Sequence, residues 1–132
     1  MGVKLESILL VDDDHITNFI HQKILDNLKC SKHVKVVRNG LEAIDYLSDE
    51  SNLLPQLMFL DINMPKMNGW EFLDAFGKLD RAGLEKTIII ILTTSQNPDD
   101  FERAKANPYV KVVENKPLTK DMIGNIVTYY FG

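Results

Sequence analysis

Short apolar runs alternate along this chain with stretches whose apolar residues recur at helical spacing. That alternation restricts the fold more than any other feature. Ile8 to Val11 is apolar throughout, as in a strand covered on both faces. Ile16, Phe19, Ile20, Ile24 and Leu28 follow at helical spacing and predict an amphipathic helix over about 15 to 29 with those side chains inward. Val34 to Val37 reads as a strand with a partly exposed face. Asn39-Gly40-Leu41-Glu42 has a capping residue with Glu three later, and Ala43, Ile44 and Leu47 form the buried stripe behind it. Leu57 to Leu60 is a third strand, and Asn68-Gly69-Trp70-Glu71 repeats the cap-then-Glu signature ahead of Phe72, Leu73 and Phe76. Ile88 to Leu92 is the fourth strand. Asn97-Pro98-Asp99-Asp100 starts a helix with a cap, a proline at the first position, and acids where the helix dipole favours them. Tyr109 to Val113 is the fifth strand. Leu118 to Phe131 closes as a helix with Met122, Ile123, Ile126, Val127 and Tyr130 on one face. Strict strand–helix alternation of this kind means an α/β fold, a doubly wound five-stranded parallel sheet with helices on both faces.

With 132 residues there is room for one domain, 1–132, with a core from about 7 to 130 and no output domain. Fifteen Lys and Arg against 19 Asp and Glu give a net charge of -4, the wrong sign for a non-specific nucleic-acid or anionic-membrane binder. Neither nucleic acid nor membrane insertion is expected, because the apolar runs are too short to span a bilayer. Gly2 follows Met1, but Glu6 breaks the myristoylation pattern. The single cysteine, Cys30, has no intrachain partner, which rules out a disulfide scaffold and makes a cytoplasmic protein the expectation.

Ligands of such sheets bind beyond the carboxyl ends of the strands, and chemistry-bearing residues gather there in this sequence. The first strand ends in Asp12-Asp13-Asp14, the third in Asp61, the fourth in Thr93, and the fifth runs into Lys116. Three carboxylates close together raise their pKa values or take up a cation. A hard divalent ion with oxygen ligands suits them, and Mg2+ is the usual cellular choice. A lysine and a hydroxyl beside it suit a phosphoryl group, and a carboxylate can be the nucleophile of an aspartyl phosphate.

These residues give the chain a resemblance to the receiver domain of two-component response regulators, of the single-domain chemotaxis-regulator type. The markers are Val11-Asp12-Asp13, Leu60-Asp61-Ile62-Asn63-Met64-Pro65 with Gly69 four after the proline, Leu92-Thr93-Thr94, and Lys116-Pro117. The resemblance runs from about Ile8 to Tyr130 and implies a flavodoxin-like (βα)5 sheet in the order 2-1-3-4-5. It implies that Asp61 is the phosphoacceptor and that Asp12, Asp13, Asp61 and the backbone carbonyl of Asn63 form the Mg2+ site, Asp12 through a water. It further implies that Thr93 bonds the phosphoryl oxygen, that Lys116 pairs first with Asp61 and then with the phosphoryl group, and that the Lys116–Pro117 bond is cis. The implied partners are a sensor histidine kinase or histidine phosphotransferase and a downstream protein docking on residues about 98–131. The chain would act as a monomer or weak dimer and catalyse only its own phosphorylation and dephosphorylation. One departure stands out: the aromatic usual three residues before the lysine is Val113 here. Signalling would then run through the loop after Thr93, or through Tyr109 or Tyr129. Asn63 and Ser95 would flank the phosphoryl site and tune water access.

Several residues have plainer readings. Asp14, Asp99 and Asp100 read as helix-start residues, Cys30 as an inert thiol, and Trp70 as partly exposed. His15, His21 and His33 read as solvated surface, since His15 and His21 do not share a helix face. Gly124 inside the last helix costs about 1 kcal/mol relative to Ala. Two other functions compete. A phosphate-independent protein-binding module gains weight from Val113, and a haloacid-dehalogenase-type phosphatase from the Asp-x-Asp in Asp12-Asp13-Asp14. The second leaves Asp61 unexplained and lacks an acidic motif after Lys116.

Overall fold

The computed structural model describes residues 4–132; the predicted span 1–132 and the reading of Gly2 extend into residues 1–3, outside the described residues. In chain order the elements are β1 (Leu5–Val11), α1 (His15–Leu28), β2 (Ser31–Val37), α2 (Gly40–Ser48), β3 (Leu57–Leu60), α3 (Gly69–Phe76), β4 (Ile88–Thr93), α4 (Pro98–Ala106), β5 (Val110–Asn115) and α5 (Lys120–Phe131). A single 3-10 turn at Leu84–Lys86 precedes β4. All strand pairs are parallel, in the order β2-β1-β3-β4-β5.

The apolar runs build the three central strands. Their alternate side chains feed two separate cores, as the period-2 geometry of a strand requires. Leu9, Val11, Met58, Leu60, Ile89 and Ile91 pack on one side with Ala43, Leu47, Phe72, Leu73 and Phe76. Ile8, Leu10, Phe59, Ile90 and Leu92 pack on the other with Leu25, Ile123, Ile126 and Val127.

The edge strands run longer than the apolar pattern. β2 begins at Ser31 because pairing to β1 starts at Leu5↔Ser31, and its polar residues face outward at the sheet edge. β5 starts one residue later than predicted, after the Asn107 side chain accepts the Tyr109 N–H at 2.9 Å. It continues to Asn115 because Leu92 and Thr93 pair with Glu114 and Asn115. α5 begins at Lys120, with the Thr119 side chain as its cap.

Helix α1 departs most from its sequence pattern. Ile16, Phe19 and Ile20 are 68%, 61% and 46% exposed, whereas Asn18 and His21 are 5% and 3% exposed. The predicted buried stripe faces outward, and the inner face is Asn18, His21 and Leu25. Among the histidines only His15 and His33 are exposed. Trp70 is also buried rather than partly exposed, because α4 lays the Arg103 guanidinium over its ring at 4.6 Å.

Candidate functional site

Asp12, Asp13, Asp61, Thr93 and Lys116 sit at the carboxyl edge of the sheet, where main-chain bonds at Asp12, Asp61 and Lys116 tie the strand ends to their neighbours. The Asp12 N–H donates to the Val37 carbonyl at 3.1 Å and the Asp61 N–H to the Val11 carbonyl at 2.9 Å. These bonds continue the parallel ladders of β1 and β3 one residue beyond the strands. The Lys116 N–H donates to the Thr93 carbonyl at 3.0 Å and does the same for β5. The Lys116–Pro117 peptide is cis.

Asp12, Asp13 and Asp61 each offer a carboxylate oxygen, and those oxygens lie within 4.8 Å of one another. The Lys116 ammonium sits between two of them, 2.7 Å from Asp12 Oδ2 and 3.1 Å from Asp61 Oδ1. Asp12 and Asp61 are buried, while Asp13 opens to solvent. Burial, together with the Asp12 and Asp13 charges, pushes the Asp61 carboxyl up to about 6 against the pull of Lys116. Burial acts in the opposite direction on Lys116, but its bonds and charge contacts with Asp12 and Asp61 outweigh that and raise its pKa. Three carboxylates against one ammonium leave two negative charges, which fits a single divalent cation held by oxygens.

Asn63 lies two residues past Asp61, exposed in the loop to α3. That loop is tight. Lys66 takes a left-handed backbone at φ 66°, and the Gly69 N–H donates to the Ile62 carbonyl at 2.7 Å. A Cβ at position 69 would lie 2.7 Å from the Asp61 carbonyl oxygen and 2.9 Å from Ile62 Cα. Gly69 is therefore required by the close approach of α3 to the Asp61 backbone.

Thr93 ends β4 and is buried, with its Oγ1 accepting the Ser95 N–H at 2.9 Å. The Ser95 hydroxyl donates to Asp100 Oδ2 at 2.6 Å, so Asp100 does more than start α4. Val113 is half-buried and borders an apolar groove of about 360 Å³ between α4 and β5, with Phe101, Ala104 and Val110. Tyr109 lies against Phe76, ring centroids 5.4 Å apart, and Tyr129 is 80% exposed.

Two residues border the site that the sequence pattern does not assign to it: Asn18, which carries no motif, and His21, which is buried and not solvated surface as expected. Asn18 Nδ2 donates to the Asp12 carbonyl at 2.8 Å, and His21 Nε2 accepts the Leu118 N–H at 3.1 Å. The signal was present as the spacing 18, 21, 25 on one helix face, obscured by the stronger apolar stripe opposite. Asp14 caps α1 as expected, accepting from Ile16 N and the Thr17 hydroxyl. Burial raises the Cys30 thiol pKa, consistent with an inert thiol. No described helix is long and apolar enough to cross a membrane.

Comparison with known proteins points one way. The family model for the response regulator receiver domain matches residues 8–128. The probable methanogenesis regulatory protein FilR2 of Methanothrix harundinacea is 30% identical over 132 residues, spanning 95% of this chain and 83% of that protein. A two-component response regulator from Cytophaga hutchinsonii superposes with a TM-score of 0.83 at 32% identity, covering 96% of this chain and 97% of that one. The phosphorylated cyanobacterial phytochrome response regulator RcpA superposes with a TM-score of 0.74 at 29% identity, covering 95% and 90%.

Proposed function

This chain belongs to the response regulator receiver-domain family, and from that membership we propose that Asp61 takes a phosphoryl group from a phosphohistidine on a sensor histidine kinase or histidine phosphotransferase. The observation that carries the reading is the Lys116 ammonium lying between Asp12 and Asp61, at 2.7 and 3.1 Å. An ammonium so placed counters the charge of the nucleophile before transfer and of the phosphoryl oxygens after it.

In the transfer, an Asp61 carboxylate oxygen bonds to phosphorus while the phosphorus–nitrogen bond breaks. The electron pair leaves with the imidazole. An Asp61 carboxyl raised to about 6 is still mostly ionised at pH 7, and its higher basicity favours attack. Thr93 donates its hydroxyl hydrogen to a phosphoryl oxygen. Water later attacks phosphorus, the phosphorus–oxygen bond to Asp61 breaks, and inorganic phosphate leaves. Asp12, Asp13, Asp61 and the Asn63 carbonyl would hold Mg2+, which when bound neutralises charge on the transferring oxygens.

The exposed Ile16, Phe19 and Ile20 lie on the helix that begins directly after the acidic cluster, and they suit docking of the phosphodonor protein. The span 1–132 is read as one receiver domain working in the cytoplasm. It acts through protein contacts over about 98–131 or passes the phosphoryl group on. With Val113 in place of an aromatic, Thr93 communicates through Ser95. When the Thr93 hydroxyl turns to the phosphoryl group, the Ser95 N–H loses its acceptor, and the bond from the Ser95 hydroxyl to Asp100 on α4 carries the change.

Intact mass after incubation with acetyl phosphate or phosphoramidate, with and without Mg2+, tests the proposal. The expected result is a Mg2+-dependent gain of one phosphoryl group that Asp61→Ala abolishes. No gain in any condition overturns the reading in favour of the phosphate-independent binding module. Turnover of a phosphate ester that needs Asp12 but ignores Asp61 would favour the phosphatase.

A further inference from the structure

Helix α1 turns two polar side chains inward although its sequence offers isoleucines and a phenylalanine. Both polar side chains end on the main chain that carries the charge cluster. Asn18 holds the Asp12 carbonyl. His21, one turn later, reaches across to the loop behind β5 and accepts the Leu118 N–H at 3.1 Å.

That N–H has no partner within its own segment. Pro117 has no N–H, so Leu118 supplies the first main-chain donor after Lys116. Leu118 is buried, and α5 begins only at Lys120 behind the Thr119 cap. A buried amide outside a ladder requires an acceptor from elsewhere. Upstream, the Lys116 N–H is tied to the Thr93 carbonyl at 3.0 Å. The three residues Lys116, Pro117 and Leu118 are thus pinned at both ends, to β4 on one side and to α1 on the other. The side chain projecting from this short bridge is the one whose ammonium lies between Asp12 and Asp61. His21 lines a small cavity with Leu10, Phe59 and Leu92 on its apolar side and Asp12 and Asp61 on its charged side.

We propose that His21 is a positioning residue for Lys116, acting through the Leu118 amide to hold the ammonium in register with Asp61. The proposal rests on the receiver reading of the site. It requires an unprotonated Nε2, so the neutral ring carries its hydrogen on Nδ1.

Imidazole ¹⁵N NMR on the full chain, with no phosphodonor present, reads the first requirement. The Nδ1-protonated form with Nε2 as acceptor is expected; an Nε2-protonated ring overturns the proposal. Phosphoryl uptake from phosphoramidate at saturating Mg2+ reads the second. His21→Leu should slow uptake about tenfold, the scale of one lost hydrogen bond. His21→Gln, whose amide oxygen can reach the same donor, should recover to within about threefold of the starting protein. In a Lys116→Met background the leucine substitution should change uptake less than about twofold, since nothing is left to position. Equal slowing with and without Lys116, or no recovery with glutamine, overturns the proposal. If the leucine variant does not fold, His21→Asn, too short to reach the amide, replaces it in the same comparison. Absence of uptake by the unaltered chain overturns the receiver reading instead, and the ring tautomer still decides the role of His21.

Discussion

Helices α1 and α3 each follow a loop that begins at an aspartate of the cluster, and each starts behind a side-chain cap, Asp14 and Asn68. α3 buries what its pattern promises, Phe72, Leu73 and Phe76, and Trp70 besides. α1 does the reverse, presenting Asn18 and His21 inward and its large apolar residues outward. The difference lies in what each helix packs against. α3 covers apolar sheet surface, and its first residue, Gly69, packs against the Asp61 backbone. α1 lies beside Asp12 and the Lys116 loop, whose buried carbonyl and amide need polar partners. Burying apolar groups there would leave both unpaired, at about 1–3 kcal/mol each.

Substitutions that treat the two helices alike should therefore give opposite results. Phe72→Ala removes a fully buried ring that lies 5.8 Å from Phe76, and should cost about 3–5 kcal/mol in urea denaturation. A loss under about 1 kcal/mol would mean that α3 is as loosely committed to the core as the outer face of α1.

Asp61→Asn tests the charge cluster that α1 supports. The folded-state pKa of Asp61 stands near 6 against an ordinary value of 3.8. The native state then holds a proton that the unfolded chain has lost between about pH 4 and pH 6. The contribution of this group to stability falls as pH rises through that window and stays low above it. The asparagine variant should thus be the more stable at pH 7, by on the order of 2 kcal/mol, with the gap closing below about pH 4. Added Mg2+ should narrow the gap, because the aspartate form offers the metal one more carboxylate and is stabilised more. Thermal melts across pH, with and without the metal, read both effects. A variant no more stable than the parent at pH 7 would mean that Lys116 already balances the cluster.

The smallest effect is expected at the outer face of α1. Phe19→Ala should leave stability within about 0.5 kcal/mol, because the ring is mostly in solvent, with the Lys23 ammonium 5.7 Å from its centroid. If phosphoryl uptake from a partner phosphohistidine fell while uptake from phosphoramidate did not, that face would serve docking, and the contrast with α3 would extend from packing to function.

The same comparison explains what the sequence made legible. The central strands and α3 were readable because burial on two faces, or along one clean stripe, leaves a strong apolar pattern. The cluster is readable because Asp12, Asp13, Asp61, Thr93 and Lys116 all lie at or just past the carboxyl end of a strand, so topology alone brings them to one edge. The edge strands outrun their apolar pattern because Ser31 to His33, Glu114 and Asn115 are held by pairing rather than by burial. The sequence pattern of α1 points the wrong way because an apolar stripe facing solvent has the same periodicity as one facing a core. Only the polar partners supplied by Asp12 and Leu118, 6 and 97 residues away from Asn18 and His21, decide which way the helix turns.

The strand that completes the cluster is also the last strand to be synthesised. Lys116 follows Asp61 by 55 residues, roughly 3–11 s of translation at about 5–20 residues per second. Until β5 is made, any pairing of β1 with β3 brings Asp12, Asp13 and Asp61 together without the Lys116 ammonium. Like charges then oppose closure of the carboxyl edge, and the oncoming β5 relieves them only when it docks beside β4. A nascent chain stalled before residue 116 carries the acids without their counter-charge, so the chemistry of this edge becomes available only once almost the whole domain has been made.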